Sequence, residues 1–296
     1  MNHGTRRGAL AANYIRAEAW EREATGRWRV RCTDALSGEQ FEVAARKLVD
    51  ARGPWSDPES LRLDRGSHIV IPRVTQSENA IAHFEPDGRI VFLIPWGSRQ
   101  QLTLVGTTDE DHRDGPDNVH ISEKETRYLR GVVAKLFPQH RDIAPLSAFS
   151  SLRPLVRVSG RSASSVSRDH RIWNSADGVL RIAGGKYTTY RLMSEQASDL
   201  VCSEIAPELA RVHLTAEAVF APVTREIGDA MEHHLADYLY VSTYLGYEQQ
   251  WTSELLLPLT QALGQKRGWS EARMRAEVDA VIENGRMVAG PAQRSA

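Results

Sequence analysis

Val179-Leu180-Arg181-Ile182-Ala183-Gly184-Gly185-Lys186-Tyr187-Thr188-Thr189-Tyr190-Arg191 is the stretch on which the reading of the chain turns. Val179, Leu180, Ile182 and Ala183 form a short apolar run of the kind that makes a buried strand. Gly184-Gly185 breaks the run, Lys186 follows, and a helical pattern begins around Thr188. A strand, a glycine turn and a helix N-terminus in that order present backbone N–H groups to an anion or a polar ring edge. Glycine suits the turn because a Cβ would block close approach of a ligand to the backbone. The same residues also describe an ordinary strand-to-helix turn with a surface lysine. The rest of the chain decides between these two readings.

With 296 residues there is room for one large or two moderate domains. Lys and Arg total 37 against 38 acids, a net charge of -1, so the electrostatic footprint of a nucleic-acid binder is absent. Cys32 and Cys202 have neither metal-like nor redox-like spacing, and a reducing cytoplasm is the expected compartment. The most apolar stretch, Ile90 to Trp96, is strand-sized, too short for a membrane span. The first residues, Met-Asn-His-Gly-Thr-Arg-Arg-Gly, lack the apolar region of a signal peptide, and Arg6-Arg7 makes no twin-arginine signal without one. There is no internal repeat.

Working outward from the central stretch, Ile172-Trp173 and Val179 to Ala183 read as two strands joined by a turn at Asp177-Gly178. Further upstream, Trp28, Val30 and Cys32 alternate with Arg29 and Arg31, and Phe41, Val43 and Ala45 resume the pattern after a turn at Ser37-Gly38. That is a β-hairpin. Residues 9 to 18 fit a helix or the start of a strand, and Lys47 to Val49 a short buried strand. Ser67 to Pro72, Arg89 to Pro95, Leu102 to Gly106 and Ser151 to Val156 are further expected strands, Pro72 and Pro95 suggesting sheet edges. Ser122 and Glu125 make a capping box for a helix that ends before Pro138. Downstream of the helix expected at 188–204, Glu226 to Tyr240 carries Ile227, Met231, Leu235, Tyr238 and Leu239 on one helical face. A second helix surrounds Pro258, and a third has Trp269 and Met274 stapled around a Ser270 cap.

Several residues could carry chemistry, each with a plainer reading beside it. His68 is a candidate base, though a lone strand histidine is commonly a satisfied core residue. Arg153, inside an apolar run, needs an anionic partner, either a structural carboxylate or an anionic substrate. Lys186 is a candidate anion anchor. Thr107-Thr108-Asp109 reads as a self-capping turn. Asp109 to His112 is a poor metal site because adjacent ligands point to different faces, and no metal is expected.

Gly66-Ser67-His68-Ile69-Val70-Ile71-Pro72-Arg73, Ile94-Pro95-Trp96, Gly106-Thr107-Thr108-Asp109, Leu152-Arg153-Pro154-Leu155 and Gly184-Gly185-Lys186-Tyr187-Thr188-Thr189-Tyr190-Arg191 occur in that order. Together they resemble the FAD-dependent, quinone-linked glycerol-3-phosphate dehydrogenases. Gly53-Pro54-Trp55 resembles that family's Ala-x-Gly-Pro-Trp turn, and Ser167-Arg168-Asp169 its Thr/Ser-Arg-Asp. The resemblance implies an α/β (α+β) fold: a glutathione-reductase-like FAD-binding domain, truncated here, with an antiparallel substrate sheet and an all-helical C-terminal cap. The oxidoreductase part is expected over 1–205, its substrate sheet at about 62–150, and the helical part over 206–296. By the same resemblance Gly53, Gly184, Gly185, Lys186, Thr188 and Thr189 would meet FAD. Arg153, Lys186 and Arg168 would hold the phosphate of glycerol 3-phosphate or orient its hydroxyls, and His68 would take the C2-hydroxyl proton as hydride leaves for the flavin.

Departures from the family pattern set the alternatives. No Gly-x-Gly pair occurs, so the phosphate-binding βαβ fingerprint is missing and the chain resembles the C-terminal portion of such an enzyme. Arg52 replaces a small residue in the Ala-x-Gly-Pro-Trp turn, and Val241-Ser242-Thr243 stands where the cap usually has Arg-Arg-Thr. The first reading is therefore a glycerol-3-phosphate dehydrogenase, as a fragment or one half of a split enzyme. The second is a related flavin oxidoreductase of the glycine-oxidase or 2-hydroxyacid dehydrogenase type, and the third a non-catalytic remnant binding a small anion or a partner chain. Expected partners are glycerol 3-phosphate, a quinone, and a second copy or a complementing N-terminal half, but no nucleic acid. The expected location is the cytoplasm, with peripheral contact at the inner face of the cell membrane.

Overall fold

A computed structural model describes residues 4, 8–56, 59–157, 169–218 and 226–288. The chain divides into two compact units that do not follow sequence order, Met1–Arg62 with Arg153–Val223 and Leu63–Leu152 with Thr224–Ala296. Among the described residues no helix is long and apolar enough to cross a membrane.

The first unit opens with an antiparallel sheet, β1 (Ile15–Arg22), β2 (Trp28–Asp34) and β3 (Gln40–Ala45), in that order. Trp28, Val30 and Cys32 are buried while Arg29 and Arg31 point to water, so the alternation expected from the sequence is the one observed. The stretch left open at residues 9–18 contributes strand β1. A second sheet has the order β11-β12-β4, built from β4 (Val49–Asp50), β11 (Arg171–Asn174) and β12 (Leu180–Ala183). The β11–β12 hairpin turns at Gly178, φ +87°, with Asp177 accepting from Val179 N at 3.1 Å. The expected buried strand at Lys47 to Val49 is shorter and shifted: Val49 is 38% exposed, and the buried residue is Asp50. α2 (Tyr190–Ile205) follows β12, and its end is tied down by Lys47, whose Nζ donates to Glu204 at 2.7 Å and Asn174 Oδ1 at 2.8 Å.

The second unit is built on an antiparallel sheet of order β10-β5-β8-β7-β6, with β9 paired to β5. The strands are β5 (Leu61–Pro72), β6 (Ile81–Phe84), β7 (Ile90–Trp96), β8 (Leu102–Gly106), β9 (Glu110–His112) and β10 (Ser147–Val156). Pro72 and Pro95 lie on inner strands: Pro72 is the last residue of β5, and Pro95, next to last in β7 and opposite Thr103, lies beyond the β6 ladder, which ends at Leu93. On β7, Val91 and Leu93 are buried beneath α1 (Glu123–Leu136), whereas Ile90, Phe92 and Ile94 face outward. α1 starts at the expected capping box and packs Leu129, Val132 and Val133 on that face, each worth roughly 1.5–3 kcal/mol of burial.

The C-terminal part of this unit differs from its expected form in one place. Glu226 to Tyr240 is not a continuous helix. Gly228 takes φ +83°, and the Asp237 carboxylate accepts from the N–H groups of His233 and His234 at 2.8 and 2.9 Å, a local arrangement that competes with helix formation. Helical structure begins only at Leu235 and continues as a π-helical turn, Asp237–Ser242. The apolar face still does its work, since Leu235 and Leu239 are buried with Leu256, Leu263, Val278 and Val281. α3 (Ser253–Arg267) and α4 (Glu271–Val288) form as expected, with Gly268 at φ +66° between them.

Candidate functional site

β4 and β12 run side by side in the same direction, Leu180 opposite Val49 and Arg181 opposite Asp50. Both strands release the chain at the same end of the pair, and each release is a glycine turn. Gly53 has φ +58°, Gly184 φ +72° and Gly185 φ +83°. The carboxyl ends of parallel strands are where open α/β sheets hold ligands. The two glycines after β12 are also fixed by their own surroundings. A Cβ on Gly184 would lie 2.6 Å from the Asp169 carbonyl oxygen, and one on Gly185 2.5 Å from Met193 Sδ. Positive φ and intrachain packing thus each call for glycine at these two positions.

Beyond the turn, Lys186 and Thr188 are exposed. The Thr189 hydroxyl accepts from Lys186 N at 3.2 Å and donates to the Lys186 carbonyl at 2.9 Å, closing the turn Tyr187–Thr189. Among the described residues α2 then starts with no side-chain cap and no acid in its first turn, the setting in which a helix N-terminus favours an anion. Gly184, Gly185, Lys186 and Thr188 are therefore gathered at one helix entrance, with Thr189 used to shape it.

The Gly53 turn is held from below. Asp50 is 5% exposed and accepts from Arg52 N, Nε and Nη2 at 3.1, 2.9 and 2.8 Å, and from Ser56 Oγ at 2.9 Å. Burial alone would raise its pKa; the hydrogen bonds from Arg52 and Ser56 outweigh burial and hold it at about 2. Arg52 also lies over the Trp20 ring, 5.2 Å from its centroid. The departure at position 52 thus supports its own turn. Arg153 is half-buried on β10, and it is its neighbour Pro154 that meets the Gly53 turn, 3.9 Å from where a Gly53 Cβ would stand. Arg168 lies outside the described residues.

In the second unit His68 is half-buried on β5, in register with Gly106 of β8, which is in turn opposite Phe92 of β7. Its ring stacks on Phe149 of β10, with centroids 5.1 Å apart and planes 15° from parallel. The preceding residue, Ser67, donates to Glu125 at 2.6 Å. Glu125 also accepts from Thr108 Oγ1 at 2.7 Å, from Arg65 Nη2 at 2.7 Å, and from Ser122 N and Oγ at 2.9 and 2.7 Å. Here too burial pushes the carboxyl up, and the gathered donors overcome it to leave the pKa at about 2. From the sequence Glu125 was visible only as a helix cap, and Phe149 not at all, because its role appears only once β10 is set beside β5. Around β9, Glu110 pairs with Lys124 and Asp111 with Arg113, while His112 Nε2 bonds the Gly115 carbonyl; the described residues contain no group of three metal-ligating side chains.

Parallel strands ending in glycine turns, one of them leading into a helix, together with a separate antiparallel sheet, define an α/β protein with a second, sheet-based part. The chain belongs to the FAD dependent oxidoreductase family, whose profile matches residues 2–191. Among curated relatives, glycerol-3-phosphate dehydrogenase of Pseudomonas aeruginosa is 36% identical over 192 residues, covering 60% of this chain and 37% of that protein. Aerobic glycerol-3-phosphate dehydrogenase of Escherichia coli is 34% identical over 208 residues, covering 65% and 41%. The Bacillus subtilis enzyme of that name is 32% identical over 223 residues, covering 70% and 39%. The chain thus spans between 37% and 41% of the length of these relatives. Among solved structures, glycerol-3-phosphate dehydrogenase from Bacillus halodurans, complexed with FAD, superposes with a TM-score of 0.73 at 20% identity, over 100% of this chain and 73% of that one. That likeness establishes the fold.

Proposed function

We propose that this chain takes part in the oxidation of sn-glycerol 3-phosphate to dihydroxyacetone phosphate, with FAD as cofactor. The observation that carries the reading is the set of relatives at 32–36% identity, each named glycerol-3-phosphate dehydrogenase. The turn at Gly184-Gly185 and the uncapped start of α2 suit the pyrimidine edge of a flavin, where backbone N–H groups and a helix N-terminus favour negative charge. These residues account for the ring end of the cofactor only, since a Gly-x-Gly diphosphate cradle does not occur in the sequence. When bound, FAD would supply the hydride acceptor.

The roles of individual residues follow the family motifs. Lys186, exposed at the helix entrance, would hold the substrate phosphate as a point charge, and Arg153 would do so through its planar fork. Arg168 would assist in orienting the substrate. Gly53 would let the chain pass close to the cofactor, and Thr188 and Thr189 would line its edge. His68 would accept the proton of the C2 hydroxyl. By the same resemblance the final electron acceptor would be a quinone, reached through peripheral contact with the membrane surface; the protein partner would be a second copy or a complementing N-terminal half.

The reading is tested by rapid mixing of glycerol 3-phosphate with this chain complemented by an N-terminal half that supplies the diphosphate site and loaded with FAD, alongside titration with a non-oxidisable analogue. His68→Asn should slow flavin bleaching and leave analogue binding nearly intact. Arg153→Lys and Lys186→Met should weaken analogue binding by roughly tenfold or more, the loss of one charge-assisted hydrogen bond. Abolished analogue binding in His68→Asn, or untouched kinetics in Arg153→Lys, would refute the division of roles.

A further inference from the structure

His68 is held by ring contacts as well as by its strand. Gly106 is its cross-strand partner, and a Cβ at that position would run into the imidazole itself. Glycine is therefore what lets the ring lie across β8. Phe149 supports the ring by a nearly parallel stack, 5.1 Å between centroids. Phe149 in turn meets Tyr247 at 4.9 Å and 49°, and Tyr247 meets Tyr240 edge-on at 5.1 Å and 73°.

The far end of this series is anchored as firmly as the near end. Ser147 Oγ donates to the Tyr247 carbonyl at 2.6 Å, fixing the turn Leu245–Tyr247 to β10. Ser98 N and Oγ each donate to the next residue's carboxylate, Glu248, at 2.8 Å. Gly246 does for Tyr240 what Gly106 does for His68, because a Cβ there would collide with the tyrosine ring. Burial pushes the Tyr240 phenol up to about 12 and raises that of Tyr247, so both rings stay neutral around pH 7.

We propose that the aromatic series His68–Phe149–Tyr247–Tyr240, closed by Gly106 and Gly246, positions the His68 imidazole, making Phe149, Tyr247 and Tyr240 positioning residues for the histidine. The inference rests on the reading of His68 as the proton acceptor. Phe149 carries neither charge nor a hydrogen-bonding group, so what it fixes is the plane of the imidazole. A base must present its nitrogen to the reacting hydroxyl within a narrow range of directions, and a stacked planar ring has lost the rotation that would spoil this. The helical C-terminal segment, which has no reacting group of its own in this scheme, thereby controls the orientation of one that does.

The experiment is NMR of the full chain with isotope-labelled histidine, the His68 ring signals being identified by their loss in His68→Asn. The ring current of Phe149 should displace the carbon-bound His68 protons upfield. Phe149→Leu should move them back toward the values of an unstacked histidine, and Phe149→Tyr should restore the wild-type position. Gly246→Ala, which does not touch His68, should shift the same signals by displacing Tyr240 and Tyr247. In the FAD-loaded protein, Phe149→Leu should lower the rate of flavin reduction roughly tenfold with analogue affinity unchanged. Unmoved His68 signals in Phe149→Leu, or failure of Phe149→Tyr to restore them, would overturn the proposal, and unmoved signals in Gly246→Ala would remove the C-terminal arm from it. If the signals move as stated while His68→Asn reduces flavin normally, the positioning series stands and the reading of His68 as the base fails.

Discussion

Replacing Glu125 by Gln is the perturbation whose consequences can be worked furthest from the structure. Glu125 is 1% exposed and collects the hydroxyls of Ser67, Thr108 and Ser122, the Ser122 N–H and the Arg65 guanidinium. Glutamine keeps the shape but puts an NH2 where one acceptor oxygen stood, so buried donors meet a donor. Each donor left unsatisfied costs about 1–3 kcal/mol, and breaking a buried ion pair about 3–5 kcal/mol. The Arg65 side chain is 17% exposed, which lets water recover part of the loss and favours the lower end, about 3 kcal/mol. A typical domain has only about 5–15 kcal/mol in hand, so the effect is large. The pH dependence gives an independent check. In the folded state this carboxyl is lowered from 4.5 to about 2, so its contribution is fully present above pH 4.5 and is lost as the pH falls toward 2. A shift of that size corresponds to roughly 3 kcal/mol. Urea unfolding of both proteins between pH 7 and pH 2 should therefore show a gap near 3 kcal/mol at neutrality that closes toward pH 2. Parallel curves, or a neutral-pH gap below about 1 kcal/mol, would refute the account of Glu125 as an ionised hub.

Two further variants probe the first unit. Gly184→Ala forces a Cβ into a residue at φ +72° and within 2.6 Å of the Asp169 carbonyl, so it should cost about 2 kcal/mol and weaken FAD binding, read by thermal unfolding and cofactor titration. An unchanged melting temperature would show that the turn relaxes at no cost. Asp50→Asn should cost about 1–2 kcal/mol at pH 7, held down because Arg52 is 45% exposed to screening water. That difference should vanish as wild type is acidified from 3.8 toward 2, the interval over which Asp50 gains its proton in the two states. A difference that persists at pH 2 would mean that Asp50 acts through packing and not through charge.

The elements that were legible in the sequence are those whose signals are local. The alternation at Trp28 to Cys32, the turn at Asp177-Gly178, the Ser122–Glu125 box and the break at Gly184-Gly185 each specify their structure within a few residues, and each forms. The structure differs where the spacing of apolar residues does not decide which hydrogen bonds form. Glu226 to Tyr240 has a helical spacing of apolar residues, but spacing records which side faces the core and not whether Asp237 will draw the preceding N–H groups to itself. Pro72 and Pro95 were consistent with edge strands, yet a proline near the end of an inner strand satisfies the same constraint. Ile81–Phe84 gave no strand signal because its four residues alternate only weakly, and it forms by pairing with β7. At the candidate site, Gly53, Gly184 and Gly185 were legible as turn glycines, and the family motifs marked His68, Arg153 and Lys186. Neither local pattern nor motif could reveal that Gly106 and Phe149 receive the His68 ring, since that follows from register across three strands.

The two units solve one physical problem in the same way, and this bears on how the candidate residues are kept in place. Each has a buried carboxylate beside a candidate residue: Asp50 three residues before Gly53 in sequence, and Glu125 through a hydrogen bond from Ser67, the residue before His68. Each carboxylate recruits an arginine from its own neighbourhood or from the strand it supports, Arg52 in one case and Arg65 in the other, and completes its shell with hydroxyls. Burying a charge is costly unless every lone pair finds a donor, so a carboxylate satisfied in this way tolerates little displacement of the segments that satisfy it. A loop or strand end that must hold a reacting group gains rigidity from such a hub without placing a second ionisable group against the substrate. It follows that acid should loosen both candidate regions in one interval, from about pH 4.5 down to about 2, as Asp50 and Glu125 take up protons and release their donors. Glu125 also closes the capping box of α1, the helix that carries Leu129 and Val133, so its protonation frees the N-terminus of that helix in the same interval. Loss of order at the glycine turn and around His68 should therefore come together with fraying of α1 at its N-terminus.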